Sequence, residues 1–149
     1  METILSIITP KVGVRIFAVW AALLAFVALF NILILTNSTE LYSNQYGNQA
    51  VVWLIMLLNV GFSAGFGVSA YGLWQQKKWG RPLFLWAIVA WATLNLVGLF
   101  VPFLASRHTA SQIVGSTLRY GVALIVPLLY FNLPRVKALF YADTQKKHY

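Results

Sequence analysis

Four stretches of this chain, residues 14–36, 50–74, 82–105 and 113–133, are almost continuously apolar, and none contains an acidic residue. A helix needs roughly 20 such residues to cross the ~30 Å hydrocarbon layer of a bilayer. Backbone in lipid must satisfy its own hydrogen bonds, so segments of this kind become helices. A transmembrane barrel would alternate polar and apolar side chains, and these runs do not. The expected fold is an all-α membrane protein: four transmembrane helices in an antiparallel bundle, one domain over residues 1–149, with a short tail at 134–149.

Composition supports lipid as the solvent. Only 9% of residues are charged and 60% are hydrophobic, whereas a soluble domain carries roughly 25% charge. The net charge of +8 raises the question of nucleic acid, but the basic residues cluster at the ends of the apolar runs and form no stripe, so no nucleic acid is expected. The absence of cysteine removes disulfides, thiolate metal sites and thiol catalysis. The first run is too long for the apolar core of a cleaved leader and reads as a retained span.

Basic residues also set an expected orientation. Lys11, Arg15, Lys77, Lys78, Arg81, Arg135, Lys137, Lys146 and Lys147 fall on one side of a four-pass chain, and Arg107 and Arg119 towards the other. That bias assigns both termini and the middle loop to the cytoplasm, in a membrane expected to be the bacterial inner, or cytoplasmic, membrane. Trp20, Trp74, Trp79, Arg81 and Trp86 are the expected interfacial anchors on that side, with Tyr42, Tyr46 and Trp53 at the other. In the tail, Val136, Leu139 and Phe140 stand at helical spacing, so it either lies along the headgroups as a helix or frays. Lys11, Arg15, Trp20 and Ala21 recur at constant offset as Lys77, Arg81, Trp86 and Ala87. Two parallel hairpin repeats would give this pattern, as would two unrelated entries from one basic surface.

Residues 72–86, GLWQQKKWGRPLFLW, combine a Gly-Leu pair, a basic stretch and a Trp-Gly-Arg step between the second and third spans. In this segment and in its four-span layout the chain resembles small four-helix bacterial integral membrane proteins of unassigned function. The resemblance implies a bundle and brings no catalytic residues. The chain is unlike small multidrug exporters, whose first span carries a glutamate.

The residues able to do something specific are few. Gly61, Gly65 and Ser69, extended by Gly72, form a small-residue ridge that lets helices approach closely, within the bundle or against a partner subunit. Asn31, Asn59 and Asn95 lie inside apolar runs, where a carboxamide seeks an interhelical partner, a polar ligand or an ion. Arg119 is the one charge well inside a span; lipid phosphate, Glu40 and a partner carboxylate are its alternative counterparts. Trp91, in mid-span, packs in the bundle or stacks on a bound molecule; Pro102 and Pro127 interrupt spans three and four. Glu2, Glu40 and Asp143 are the only acids and His108 and His148 the only histidines. All lie outside the spans, so carboxylate pairs, proton relays and axial haem ligation by this chain alone are not expected. The chain is expected to be no enzyme and to hold no cofactor or metal by itself, although its aromatic residues allow contact with pigment, quinone or lipid. Two roles remain: an integral accessory or assembly subunit of a larger bacterial membrane complex, energy-converting ones included, or a small homo-oligomeric channel, carrier or lipid-handling protein.

Overall fold

The computed structural model describes residues 9–41, 48–100 and 110–145. These form α1 (Pro10–Asn37), α2 (Gln49–Trp74), α3 (Gly80–Phe100), α4 (Ala110–Asn132) and α5 (Pro134–Gln145), with no strand among the described residues. The first four are long and apolar enough to cross a membrane. Each helix starts where its sequence permits. Pro10 occupies the first turn of α1, where its missing N–H goes unneeded. The Asn48 side chain accepts from the Ala50 amide at 2.8 Å and caps α2. The third helix begins at Gly80, two residues ahead of the expected start, with Pro82 inside its first turn. The fourth begins at Ala110, three residues ahead of its apolar run, and continues through Pro127 to Asn132. Pro102 lies outside the described residues.

Successive helices pack antiparallel, α1 on α2, α2 on α3 and α3 on α4. The most extensive contact is between α1 and α2, and its residue pattern explains it. On α1 the inward side chains are Val14, Ala18, Ala21, Ala25, Ala28, Ile32 and Leu35, all buried except the half-buried Ile32. On α2 they are Val52, Met56, Asn59, Ser63, Phe66, Ala70 and Leu73, all buried except the half-buried Met56 and Asn59. Both sets advance by alternating steps of four and three, the 3.5-residue repeat of a left-handed coiled seam. Alanine fills the middle of the α1 seam, so the backbones come close and dispersion is maximised where no hydrophobic effect acts between helices.

At the end of the bundle that carries the α1 start and the α2–α3 turn, an aromatic cluster closes the core. Phe17 lies 5.0 Å from Tyr130 and 5.1 Å from Phe131 between ring centroids. Phe131 meets Phe84 at 5.6 Å, and Phe84 meets Phe66 at 6.4 Å. Through Gln145 the tail is helical, which meets one of the two sequence expectations in secondary structure, but its apolar side chains pack against the bundle. Its Val136 and Phe140 are 2% and 1% exposed and belong to this same core, while Arg135 and Tyr141 face outwards. Away from this end α4 is held loosely: only 11% of its most apolar window is buried, against 28% in α1.

Candidate functional site

Matched contacts between neighbouring helices give their registers. A Cβ on Gly67 would stand 4.0 Å from that of Ala25, and one on Gly65 3.9 Å from that of Ala87. Gly72 faces Gly80, Trp91 meets Tyr120 at 5.2 Å between ring centroids, and Arg81 reaches Phe131. Because the helices are antiparallel, these registers bring Asn31, Asn59, Asn95 and Arg119 within about one turn, roughly 6 Å, of a common depth. The level lies roughly 9 Å inward of Trp53 and some 22 Å from Trp74. It crosses the half of the bundle opposite the aromatic cluster.

The four residues share a depth but not a face. Asn59 sits half-buried on the α1–α2 seam and donates to the Ile55 carbonyl at 2.8 Å. Asn95, also half-buried, donates to the Trp91 carbonyl at 2.7 Å. Asn31 is exposed on α1 and makes no side-chain hydrogen bond to any described residue. Arg119 is exposed on α4. Its guanidinium lies 4.9 Å above the Tyr120 ring and donates from Nη2 to the Tyr120 hydroxyl at 3.0 Å. Cα–Cβ bonds lean towards a helix N-terminus, so Arg119 is aimed at the nearer membrane surface, within reach of headgroups by snorkelling. Trp91 stands edge-on between Phe66 and Tyr120, at 6.4 Å and 5.2 Å.

The small-residue ridge divides into two environments. Ser69 and Gly72 are buried and Gly65 is half-buried against α3. The closest approach is Gly72 to Gly80, where a Cβ on Gly72 would stand 2.7 Å from the Gly80 Cα. Gly61, at the other end, has open space above it. There α2 and α3 part to leave an apolar groove of about 330 Å³, floored by Gly61 and Gly65 and walled by Phe62, Leu83, Trp86 and Ala87. Trp86 is 74% exposed and sits roughly 9 Å deeper than the Gly72–Gly80 crossing. The other aromatic anchors are shallower. Trp20 packs edge-on against Phe84 at 6.2 Å, Trp74 lies 5.5 Å beneath the Arg15 guanidinium, and Trp79 stacks on Tyr71 at 6.5 Å. Equivalent positions in the two sequence repeats therefore differ: Ala21 is fully buried and Ala87 half-buried, Trp20 is half-buried and Trp86 exposed.

Arg81 has a role that its position alone did not reveal. Its Nε donates to the Phe131 carbonyl at 3.1 Å and its Nη2 to Asn132 Oδ1 at 3.4 Å. It thereby satisfies a carbonyl in the last turn of α4, where no intrahelical donor remains. Beside it the Tyr130 hydroxyl donates to the Pro10 carbonyl at 3.0 Å, and Gly13 leaves room for that ring. The two contacts tie α1, α3 and α4 together at the basic rim. Glu2, His108 and His148 lie outside the described residues, as do Tyr42, Tyr46, Arg107, Lys146 and Lys147.

These helices define an all-α, four-helix membrane protein. Comparisons with protein-family models, with curated proteins and with solved structures find no match.

Proposed function

We propose that the chain is a non-catalytic integral subunit or accessory protein of a larger assembly in a bacterial cytoplasmic membrane, with both termini in the cytoplasm. The observation that carries this reading is Asn31. Its carboxamide is exposed at hydrocarbon depth without a partner among the described residues. A polar group in lipid is costly until another helix supplies a counterpart, and such interhelical bonds contribute about 0.6–2 kcal/mol. The groove beside Trp86 supports the same reading, because glycines there leave space for a neighbouring helix. Energy-converting complexes are one setting for this reading.

Purification in mild detergent followed by native mass measurement tests it. The account expects defined, stoichiometric partners, and Asn31→Leu should lower their occupancy by about 3- to 30-fold. A lone 16.7 kDa species under gentle conditions would overturn it.

The common depth of Asn31, Asn59, Asn95 and Arg119 favours a second reading, a small homo-oligomeric channel, carrier or lipid-handling protein in which several copies bring these residues onto one path. Reconstituted vesicles would then show solute or lipid flux that falls with Asn95→Leu. Flux that Asn95→Leu leaves unchanged would remove this path.

A further inference from the structure

The α2–α3 turn holds a feature that neither role above uses. The amide of Lys77 donates to the Gly72 carbonyl at 2.8 Å and that of Gln76 to Leu73 at 3.0 Å, the paired bonds of a Schellman motif. Its left-handed position, where glycine is the usual occupant, is Gln76 with φ 54°. An ordinary side chain in that conformation is strained, and such strain concentrates at functional positions. Lys77 and Lys78 follow at once, both exposed. The Lys78 ammonium stands 5.7 Å from the ring centroid of Tyr141 on α5, so the terminal helix flanks the turn. Trp74 and Trp79, 52% and 43% exposed, bracket it at the depth where aromatic side chains meet headgroups. Arg15 lies over Trp74. The tie from Arg81 to the end of α4 holds α5 in place beside these cations.

We propose that this turn, Gln76-Lys77-Lys78 with Tyr141 of α5, binds the phosphate of an anionic phospholipid headgroup. Two ammonium groups and a carboxamide give donors without an acid among them, Lys78 is positioned against the face of Tyr141, and the neighbouring surface is a membrane interface. Exposed cations clustered on such a turn at a membrane surface are matched to acidic headgroups. The proposal goes beyond the accessory-subunit reading and does not depend on it, since it concerns the lipid on the basic rim and no protein partner.

The test uses the full chain in vesicles of equal phosphatidylglycerol and phosphatidylcholine, extracted gently, with retained lipid identified by native mass spectrometry. The wild type should retain phosphatidylglycerol in preference. The double variant Lys77→Gln/Lys78→Gln should lose that preference by at least about five-fold, with helical content by circular dichroism unchanged. Gln76→Gly separates binding from turn geometry: it relieves the left-handed strain, so the protein should unfold no earlier while the preference falls. A double variant that keeps the full preference would overturn the proposal. So would release of phosphatidylglycerol by inorganic phosphate but not by chloride at matched ionic strength, which would mark a site for free anions.

Discussion

Among single residues, Gly72 and Gly80 are where the backbones of α2 and α3 come nearest. A methyl group at Gly80 meets backbone atoms of Gly72 and Leu73, which cannot move aside as a flexible side chain can. Gly80→Ala should therefore cost about 1–3 kcal/mol, measured as earlier unfolding of the detergent-solubilised protein. Gly61→Ala should change stability by no more than about 0.5 kcal/mol, because nothing occupies the space above it. The spacing of Gly61, Gly65 and Ser69 made the ridge legible in the sequence. It carried no sign of which glycine is pressed, since that depends on how far α2 and α3 splay. Gln76 was equally silent, because a glutamine in the left-handed cap has no local sequence marker. Arg81 was readable as an interfacial cation but not as the donor to Phe131. Its replacement by glutamine should cost about 1.5–3 kcal/mol and speed amide exchange at the α4–α5 junction, read by hydrogen–deuterium exchange mass spectrometry.

At the level of helices, the four spans were visible because hydrocarbon thickness sets a minimum apolar length and acidic residues are excluded from it. Their ends shifted by a few residues, as at Gly80 and Ala110, where the first helical turn is made of small or polar residues that an apolar window leaves out. The α1–α2 seam is written in the sequence as Ala18, Ala21, Ala25 and Ala28, yet an apolar helix surrounded by lipid shows little contrast between its faces. The 3.5-residue spacing of small residues is the signal that remains. Two adjacent alanines expose the difference: Ala21 is fully buried in the seam and Ala22 faces outwards. Ala21→Leu should destabilise by about 1–3 kcal/mol through overpacking, whereas Ala22→Leu should be nearly neutral in the same unfolding assay. The last helix illustrates a different limit. Val136, Leu139 and Phe140 gave helical spacing, but only the aromatic cluster around Phe131, 6.2 Å from Phe140, explains why α5 stays against the bundle.

The whole molecule is asymmetric along its length. One end is closed by interlocked aromatic rings and by the hydrogen bonds of Arg81 and Tyr130, and it carries Lys11, Arg15, Lys77, Lys78, Arg81, Arg135 and Lys137. Beyond it α4 is held less tightly and the level shared by three asparagines and Arg119 is found, while the groove beside Trp86 starts at the depth of Phe66, on the border of the aromatic cluster. That division was only partly readable from the sequence. The cations at the span ends marked the rim, but the common depth of Asn31, Asn59, Asn95 and Arg119 emerges from three helix registers that no single helix specifies.

All of this rests on four crossings that return the chain to its starting side. The protein has no cysteine, so single cysteines can be introduced at Thr9, Gln49, Gln75, Ser111 and Arg135 and challenged with a membrane-impermeant maleimide in sealed vesicles. The account predicts that positions 9, 75 and 135 label from one side and positions 49 and 111 from the other. Labelling of positions 9 and 75 from opposite sides, or of all five from the same side, would contradict it.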